Sequence, residues 1–174
     1  MAAPAIVLET PRLALREAAA SDAAFFLALL NDRSWLENIG DRGVRTAADA
    51  ARYIRDSIRA PYQALGFGLY VVQLRPGALP IGLCGLLKRD FLSGPDLGFA
   101  LLPDFVGCGY ASEAARAVLA HAHALLRIER LYAIVQAGNH RSIRLLERLG
   151  FGRQGLCPTP QGEALELYLA QLRA

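Results

Sequence analysis

Apolar and polar residues alternate near the start of the chain, which is typical of a strand with one buried face. Leu13 and Leu15 lie between Arg12 and Arg16 in this alternation. The segment from Glu9 to Glu17 is therefore predicted to form a half-buried strand. Beyond it the spacing of apolar residues changes from two to between three and four, which indicates that helices follow.

Two helices are predicted in this next part of the chain. The first follows a cap at Ser21-Asp22 and carries two phenylalanines and two leucines at helical spacing. The second extends from about Ala47 to Arg59 after a Thr46 cap, and Pro61 is predicted to stop it because proline disfavours helix at the residue before it. The segment 33–45 between the two helices is predicted to be irregular.

The composition then changes to one that favours strands. Phe67 to Leu74 and Ile81 to Lys88 are predicted to form a hairpin, with its turn at Arg75-Pro76-Gly77. A second turn at Ser93-Gly94-Pro95 leads into a third strand, from Leu97 to Leu102. Three consecutive strands, the first two of them a hairpin, are therefore expected in the middle of the chain.

Helices and strands alternate in the last third of the sequence. A helix is predicted from about Tyr110 to Leu126, a strand from Leu131 to Gln136 and a helix from about Asn139 to Leu149. Two strands near 151–156 and 165–169 complete the chain, although a short helix fits the last of them almost as well. This order favours a strand–helix–strand crossover within an otherwise antiparallel sheet.

Together these elements predict an α/β fold, a three-layer α/β/α sandwich around a mixed, largely antiparallel sheet. At 174 residues the chain has the length of one ordinary domain, so residues 1–174 are expected to form a single domain. Apolar residues make up 53% of the chain, which excludes intrinsic disorder because enough apolar surface can be buried to offset the entropy of folding.

Composition also limits where the protein works and what it binds. The longest apolar runs are far below the about 20 residues that cross a bilayer, and Met1 to Pro11 lacks the pattern of a signal peptide. A soluble cytoplasmic protein without membrane contact is expected. The cysteines Cys84, Cys108 and Cys157 are scattered, with no Cys-x-x-Cys and no histidine at ligand spacing, so neither a disulfide framework nor a metal site is implied.

The formal net charge is +3, but the 18 arginines and Lys88 are interleaved with acidic residues. A protein that follows a nucleic-acid backbone concentrates its basic residues on one face. Nucleic acid is therefore not expected as a partner, whereas a mildly positive surface favours a small anionic ligand.

A glycine turn, Gly107-Cys108-Gly109, separates a predicted strand from the helix that begins near Tyr110. The first N–H groups of a helix have no intrahelical partner, and glycines let a phosphate approach the backbone closely. A pyrophosphate is a natural ligand here, although a turn required only for its backbone geometry remains the alternative. The pattern matches neither the Gly-Lys-Ser/Thr phosphate loop nor the three-glycine dinucleotide fingerprint.

The turn belongs to a longer stretch, Val106-Gly107-Cys108-Gly109-Tyr110-Ala111-Ser112-Glu113-Ala114. It resembles the glycine loop of the GCN5-related N-acetyltransferases, and many members of the branch named below have Trp-Gly-Lys-Gly-Tyr-Ala-Thr-Glu-Ala there. Val106 and Cys108 are departures, because Arg, Gln or Trp and then Lys or Arg are usual there. The resemblance covers nearly the whole chain and is strongest for the branch of ribosomal-protein alanine and serine N-acetyltransferases.

Three further segments carry the same resemblance. Asn139-His140-Arg141-Ser142, with Leu149-Gly150-Phe151 after it, is similar to the family's second block. Leu8-Glu9-Thr10-Pro11-Arg12-Leu13 resembles its Thr-x-Arg-Leu opening, and Pro80-Ile81-Gly82 resembles its hairpin. The four segments occur in the family's order and spacing.

The resemblance implies acetyl-CoA as a cosubstrate, no metal, and a binding place between the strands that end near Leu102 and Gln136. Asn139 would reach the pantetheine arm, while a plain helix cap is its other reading and both roles can hold together. Pantetheine would pair with the backbone of Phe99, Ala100 and Leu101 as an extra strand. The residues expected to bind the pyrophosphate are Gly107, Cys108, Gly109, Tyr110, Ala111 and Ser112.

The reaction implied is direct attack of a neutral amine on the thioester, which calls for a base and for a proton donor to the leaving thiolate. Relatives often have a tyrosine seven residues after the asparagine, but Leu146 occupies that position. Ser142 is the expected donor, against the alternative that its hydroxyl bonds back to its own helix. Asp96 is the expected base, against the alternative of a solvated turn residue after Pro95.

Other titratable residues receive structural interpretations. Glu113 is expected to support the start of its helix or to pair with Arg116, because a carboxylate would repel a pyrophosphate. His140 can titrate near neutrality but is interpreted as an exposed residue after the helix cap. His121 and His123 are two residues apart on one helix, so they face different directions and form no ligand pair.

The acceptor is expected to be an α-amine, because an α-amine has a pKa near 8 and lysine near 10.4, which makes neutralising lysine at pH 7 about 3 kcal/mol costlier. Partners are thus an amine-bearing small molecule, a peptide or a protein N-terminus, with antibiotics and polyamines as alternative acceptors. Specificity is expected to be set by the segments 33–45 and 62–66. The resemblance also allows a homodimer. A non-catalytic acyl-CoA sensor or interaction module is the main alternative, and a nucleotide-binding domain is a more remote one.

Overall fold

The computed structural model describes residues 4–172 and contains eight strands and six α-helices in that range. The first half of the chain holds β1 (Ile6–Glu9), β2 (Leu13–Arg16), α1 (Ala23–Leu30), α2 (Arg33–Asn38), α3 (Ala47–Tyr53), α4 (Ala60–Leu65), β3 (Leu69–Leu74) and β4 (Pro80–Lys88). The second half holds β5 (Pro95–Leu101), α5 (Tyr110–Ala124), β6 (Arg130–Val135), α6 (His140–Arg148), β7 (Gly152–Pro158) and β8 (Ala164–Gln171).

All eight strands lie in one sheet, in the order β1-β2-β3-β4-β5-β6-β8-β7. Every neighbouring pair is antiparallel except β5 and β6, which are parallel and are connected through α5. This confirms the predicted mixed, largely antiparallel sheet with a strand–helix–strand crossover in its middle. It also confirms that the last segment is a strand, because β8 pairs with both β6 and β7.

Helices cover both faces of the sheet, because side chains alternate between the two faces along each strand. On β3, Val72 packs into the core that contains Ala115 and Val118 of α5. Its neighbour Val71 packs into a second core with Phe26 of α1 and Ile58. The three-layer α/β/α arrangement predicted from the sequence is therefore present.

The beginning of the chain differs from its prediction. The single strand expected from Glu9 to Glu17 is two short strands, β1 and β2, joined by a turn at residues 10–12. The second strand is buried along its whole length and not half-buried, since it lies between β1 and β3 with helices on both faces. Its Arg16 is buried because it makes two hydrogen bonds, of 2.7 and 2.8 Å, to the carboxylate of Asp22. That carboxylate is consequently not available to cap α1.

The helical region also departs from expectation in two places. The segment 33–45 contains a helix, α2, because Asp32 caps it and Trp35 is buried at its centre. The second predicted helix does not stop at Pro61 but continues to Leu65, where Gly66 ends it with a left-handed φ of 75°. A π-helical stretch, Ile54–Arg59, widens the helix just before Pro61. Hydrogen bonds there reach one residue further back, which accommodates the missing N–H of proline.

Candidate active site

A cavity of about 810 Å³ opens where β5 and β6 separate. The two strands are paired only at Asp96 and Tyr132, near their beginnings, and the pairing does not continue towards their ends. The cavity wall brings together most of the residues expected at the site, namely Asp96, Phe99, Ala100, Leu101, Gly107, Gly109, Ala111, Ser112, Asn139 and Ser142. A volume of this size is typical of a pocket for a small ligand or cofactor.

The end of β5 offers unpaired backbone groups to this gap. Leu102 donates its N–H to Ile81 of β4 (2.8 Å), and hydrogen bonding alternates along a strand. The backbone groups of Phe99 and Leu101 therefore point away from β4 and towards β6, which has moved out of reach. A strand-like ligand placed between β5 and β6 can be held by these groups.

The glycine turn forms the floor of the cavity at the start of α5. Gly107 and Gly109 have left-handed φ angles of 86° and 82°, which glycine adopts without strain. The first hydrogen bond of the helix runs from Glu113 N–H to Gly109 O (3.0 Å), so the N–H groups of residues 110–112 have no intrahelical partner. Free N–H groups at the positive end of a helix dipole make a site for an anion.

Two residues expected in the cofactor set lie outside the cavity wall. Cys108 is exposed, and its carbonyl oxygen accepts a hydrogen bond from Arg12. Tyr110 packs its ring against Phe105 and under the guanidinium of Arg12. The side chains of these two residues support the turn, so their contact with a ligand is restricted to the backbone.

Asp96 is the most unusual polar residue of the site. It is only 1% exposed, because it lies within β5 between Leu87 of β4 and Tyr132 of β6. The interpretation as a solvated turn residue is therefore wrong. One carboxylate oxygen, Oδ2, accepts a hydrogen bond from Arg89 Nε (3.0 Å), whereas Oδ1 is buried without a partner within the described residues. Burial raises the pKa of Asp96, and Arg89 opposes this rise only in part.

The start of α6 contributes the opposite wall. Asn139 caps this helix, because its Oδ1 accepts a hydrogen bond from Ser142 N–H (3.2 Å). The amide nitrogen of Asn139 remains available to a ligand, so the capping and binding roles are compatible. Leu146 is buried and lines the cavity, so the position at which a tyrosine was looked for is apolar. His140 is exposed, as expected.

The helices α1–α4 cover the face of the sheet opposite to α5 and close the cavity on that side. Trp35 of α2, Tyr53 of α3 and the Arg42 side chain line it there. Burial raises the pKa of Tyr53, and the nearby Arg42 and Arg89 oppose the rise. The first predicted specificity segment, 33–45, therefore contributes to the wall. The second, 62–66, is the end of α4 and lies outside the cavity wall.

Arg12 is a residue of the site region that its sequence position alone did not reveal. Glu113 does not pair with Arg116. Its carboxylate instead accepts hydrogen bonds from Thr10 Oγ1 (2.6 Å), Arg12 N–H (3.0 Å) and Arg12 Nε (2.6 Å). Burial raises the pKa of Glu113, but these hydrogen bonds together lower it below its ordinary value. The only advance indication was the Thr-x-Arg-Leu resemblance, which assigned no role to Arg12.

Within residues 4–172, no three side chains of the histidine, cysteine, aspartate or glutamate type come together in an arrangement that could hold a metal ion. The same part of the chain contains no helix with both the length and the apolar character that crossing a membrane requires.

Comparison with known proteins agrees with this architecture. The sequence matches the family described as the acetyltransferase (GNAT) domain over residues 12–152. It is 28% identical over 172 residues to the uncharacterized N-acetyltransferase p20 of Bacillus licheniformis, covering 95% of this chain and 94% of that protein. The acetyltransferase structure from Agrobacterium tumefaciens str. C58 is 25% identical, with a TM-score of 0.80 over 94% of this chain and 93% of that one.

A third similar protein, RimL, is a ribosomal L7/L12 alpha-N-protein acetyltransferase whose structure contains coenzyme A. It is 17% identical, with a TM-score of 0.82 over 97% of this chain and 98% of that one, and shows that the fold is shared. The family match spans most of the chain and includes the separated strands, the glycine turn and the start of α6. The chain therefore belongs to the GNAT acetyltransferase family and is an acyltransferase.

Proposed function

We propose that the protein transfers an acetyl group from acetyl-CoA directly to the α-amine of a peptide, a protein or an amino-acid-like molecule. The observation that carries this proposal is the gap between β5 and β6, which has unpaired backbone groups on one side and free helix N–H groups at its floor. This arrangement suits a cofactor with an extended amide-bearing arm and a diphosphate. When bound, acetyl-CoA supplies the activated thioester.

The residues of the cavity divide the binding of the cofactor between them. The N–H groups of Gly107 to Ser112 hold the diphosphate, and their alignment with the helix dipole supplies charge that Val106 and Cys108 do not. Phe99 and Leu101 hold the pantetheine arm through the backbone, and the Asn139 amide donates to it. Ala100, which was also expected to contribute, lies opposite Leu83 and directs its backbone groups to β4 instead. Binding through the backbone tolerates unusual side chains, which explains how this chain can depart from the family at Val106 and Cys108.

Asp96 is proposed to accept the proton of the incoming amine. Its side chain projects to the α1–α4 face, because Ala100, an even number of residues further along β5, packs on that face while Phe99 packs on the other. Burial raises its pKa, which makes it a better base than an exposed carboxylate. The amine therefore enters past Trp35 and Tyr53, on the face opposite to α5.

Ser142 is proposed to donate a proton to the departing thiolate, directly or through water. Its backbone N–H is used by the helix cap, and among the described residues its hydroxyl has no hydrogen-bond partner. Replacing Ser142 by alanine should lower kcat by about tenfold or more with little change in the KM for acetyl-CoA, because a general acid contributes mainly at the transition state. Steady-state kinetics measure this, with Ser57→Ala, an exposed helical serine, as the control. An unchanged kcat would assign the proton transfer to another donor.

The α-amine preference has its own test. Two peptides are compared, one with a free N-terminus and no lysine, the other with a blocked N-terminus and one lysine. At pH 7 the first should be acetylated faster by up to about a hundredfold, since neutralising lysine costs about 3 kcal/mol more. The difference between the two acetylation rates should become smaller as the pH rises towards 10. Faster acetylation of the lysine peptide would refute the preference, and absence of thiol release with every amine would favour a non-catalytic acyl-CoA sensor.

A further inference from the structure

A polar cluster lies next to the glycine turn, where the turn between β1 and β2 meets the first turn of α5. It consists of Thr10, Arg12 and Glu113, and both carboxylate oxygens of Glu113 are hydrogen-bonded within it. The side chain of Arg12 is 48% exposed and that of Glu113 is 17% exposed. The cluster joins residues 101 positions apart in sequence, so it forms only when the first strands and α5 are docked.

Arg12 contacts Cys108 and Tyr110 and lies close to Gly109 between them. Its Nη1 donates to Cys108 O (3.0 Å), and its guanidinium carbon lies 4.5 Å from the centre of the Tyr110 ring. Its Nη2 lies 3.3 Å from the position that a Cβ on Gly109 would occupy. A planar guanidinium can make these contacts and the Glu113 bond at once, whereas a lysine ammonium cannot.

The hydrogen bond from Arg12 Nη1 to Cys108 O sets the direction of the peptide group between Cys108 and Gly109. A trans peptide is planar, and its C=O and N–H point in opposite directions. Because Cys108 C=O points towards Arg12, the N–H of Gly109 points to the other side of the turn, away from Arg12. Gly107, Gly109 and Ala111 line the cavity. The contact from Arg12 thus directs this N–H away from the cluster and leaves it available to an anion in the cavity.

The cluster also reduces the electrostatic repulsion between Glu113 and an anion bound at the glycine turn. Glu113 lies in the first turn of α5, where a negative charge would repel an anion bound at the turn. The Arg12 guanidinium pairs with it at 2.6 Å, and its positive charge opposes that repulsion. The Glu113 carboxylate therefore holds Arg12 in place and does not prevent a diphosphate from binding.

We propose that Arg12 and Glu113 act as a positioning pair that fixes the glycine turn in the orientation required to bind the diphosphate of acetyl-CoA, a role that rests on the proposed function. Thr10 holds Glu113 in place through its hydroxyl. None of the three residues touches the reacting atoms, so the pair governs cofactor affinity and not the chemical step.

The test compares three ligands by calorimetric titration of wild-type protein and the Arg12→Lys variant. Coenzyme A and dephospho-coenzyme A both contain the diphosphate, and pantetheine does not. The dissociation constants for the first two should rise by about tenfold, the loss expected when a charge-assisted hydrogen bond is broken. The dissociation constant for pantetheine should stay unchanged. The control is Arg153→Lys, because Arg153 pairs with Glu166 through the same atoms (2.5 Å) outside the cavity wall.

A milder variant covers the case in which Arg12→Lys fails to fold. Thr10→Val should weaken coenzyme A binding by about two- to threefold, and Thr10→Ser, which keeps the hydroxyl, should restore wild-type affinity. Unchanged affinity for coenzyme A, or an equal loss for pantetheine, would overturn the positioning role. Failure of the wild-type protein to bind coenzyme A would instead overturn the proposed function on which the role depends.

Discussion

Replacing Asp96 by asparagine should lower kcat by about 10²- to 10⁴-fold, the range that a positioned general base contributes. The dissociation constant for coenzyme A should change little, because Asp96 lies at the beginning of the gap and the cofactor is held by residues further along β5 and at α5. Asparagine keeps the shape of the side chain but cannot accept the amine proton. Stopped-flow or steady-state detection of the released thiol measures the loss.

Two comparisons separate loss of a base from loss of a charge. Asp90→Asn removes an exposed carboxylate from the connection between β4 and β5 and should leave kcat unchanged. In the wild-type protein the acid limb of the kcat/KM profile should lie above the ordinary carboxyl range, since burial raises the pKa of Asp96. In Asp96→Asn the part of this limb that comes from Asp96 should be absent, whereas the part set by the amine pKa near 8 should remain. A variant with wild-type kcat would refute the role of Asp96.

The same variant reports on stability through the direction of the pKa shift. The folded protein raises the pKa of Asp96, so it favours the protonated side chain. The wild-type free energy of unfolding, relative to Asp96→Asn, should therefore be highest below the unfolded pKa of about 4 and should fall as the pH rises through the folded value. Thermal unfolding measured from pH 4 to pH 8 gives this difference.

Replacing Gly109 by alanine should weaken binding of coenzyme A by at least about tenfold. The residue has φ 82°, a left-handed conformation that costs an L-residue about 1–2 kcal/mol. The added Cβ would also lie 3.3 Å from Arg12 Nη2, so Arg12 or the turn would have to shift by a few tenths of an ångström. Either adjustment moves the N–H groups that hold the diphosphate, and titration with coenzyme A measures the loss.

Gly77→Ala is the matched control. Gly77 has the same φ of 82° in the hairpin between β3 and β4 and is not among the residues of the cavity wall, and an added Cβ there would lie in open space. Both variants should lose about 1–2 kcal/mol of stability from backbone strain, but only Gly109→Ala should lose affinity for coenzyme A. Equal affinity in the two variants would show that the diphosphate does not bind at this turn.

Much of the fold followed from local sequence patterns. The central hairpin, the helix after the glycine turn and the crossover to β6 were predictable because each combines a clear period with a clear stop signal. Two elements were missed because they are short. The edge strand Ile6–Glu9 has four residues, and the helix Arg33–Asn38 has six, too few to display a period. Pro61 was predicted to end the second helix, but the helix continues because a preceding π-helical stretch accommodates this proline.

The site was less predictable where it depends on contacts distant in sequence. The glycine turn and the start of α6 are local motifs, and the cavity contains both. By contrast, the burial of Asp96 depends on strands on both sides of it, and Pro95 before it suggests a turn instead. The pairing of Glu113 with Arg12 spans 101 positions, so the nearer Arg116 was the only partner that helical spacing could suggest.

The central claim is that a diphosphate binds to the N–H groups at the start of α5 while the attached arm lies between β5 and β6. A crystal structure with coenzyme A tests it most directly. The claim predicts phosphate oxygens within hydrogen-bond distance of N–H groups in residues 107–112 and the arm paired with the backbone of Phe99 and Leu101. Coenzyme A bound elsewhere, or a gap filled by side chains with no ligand, would contradict it.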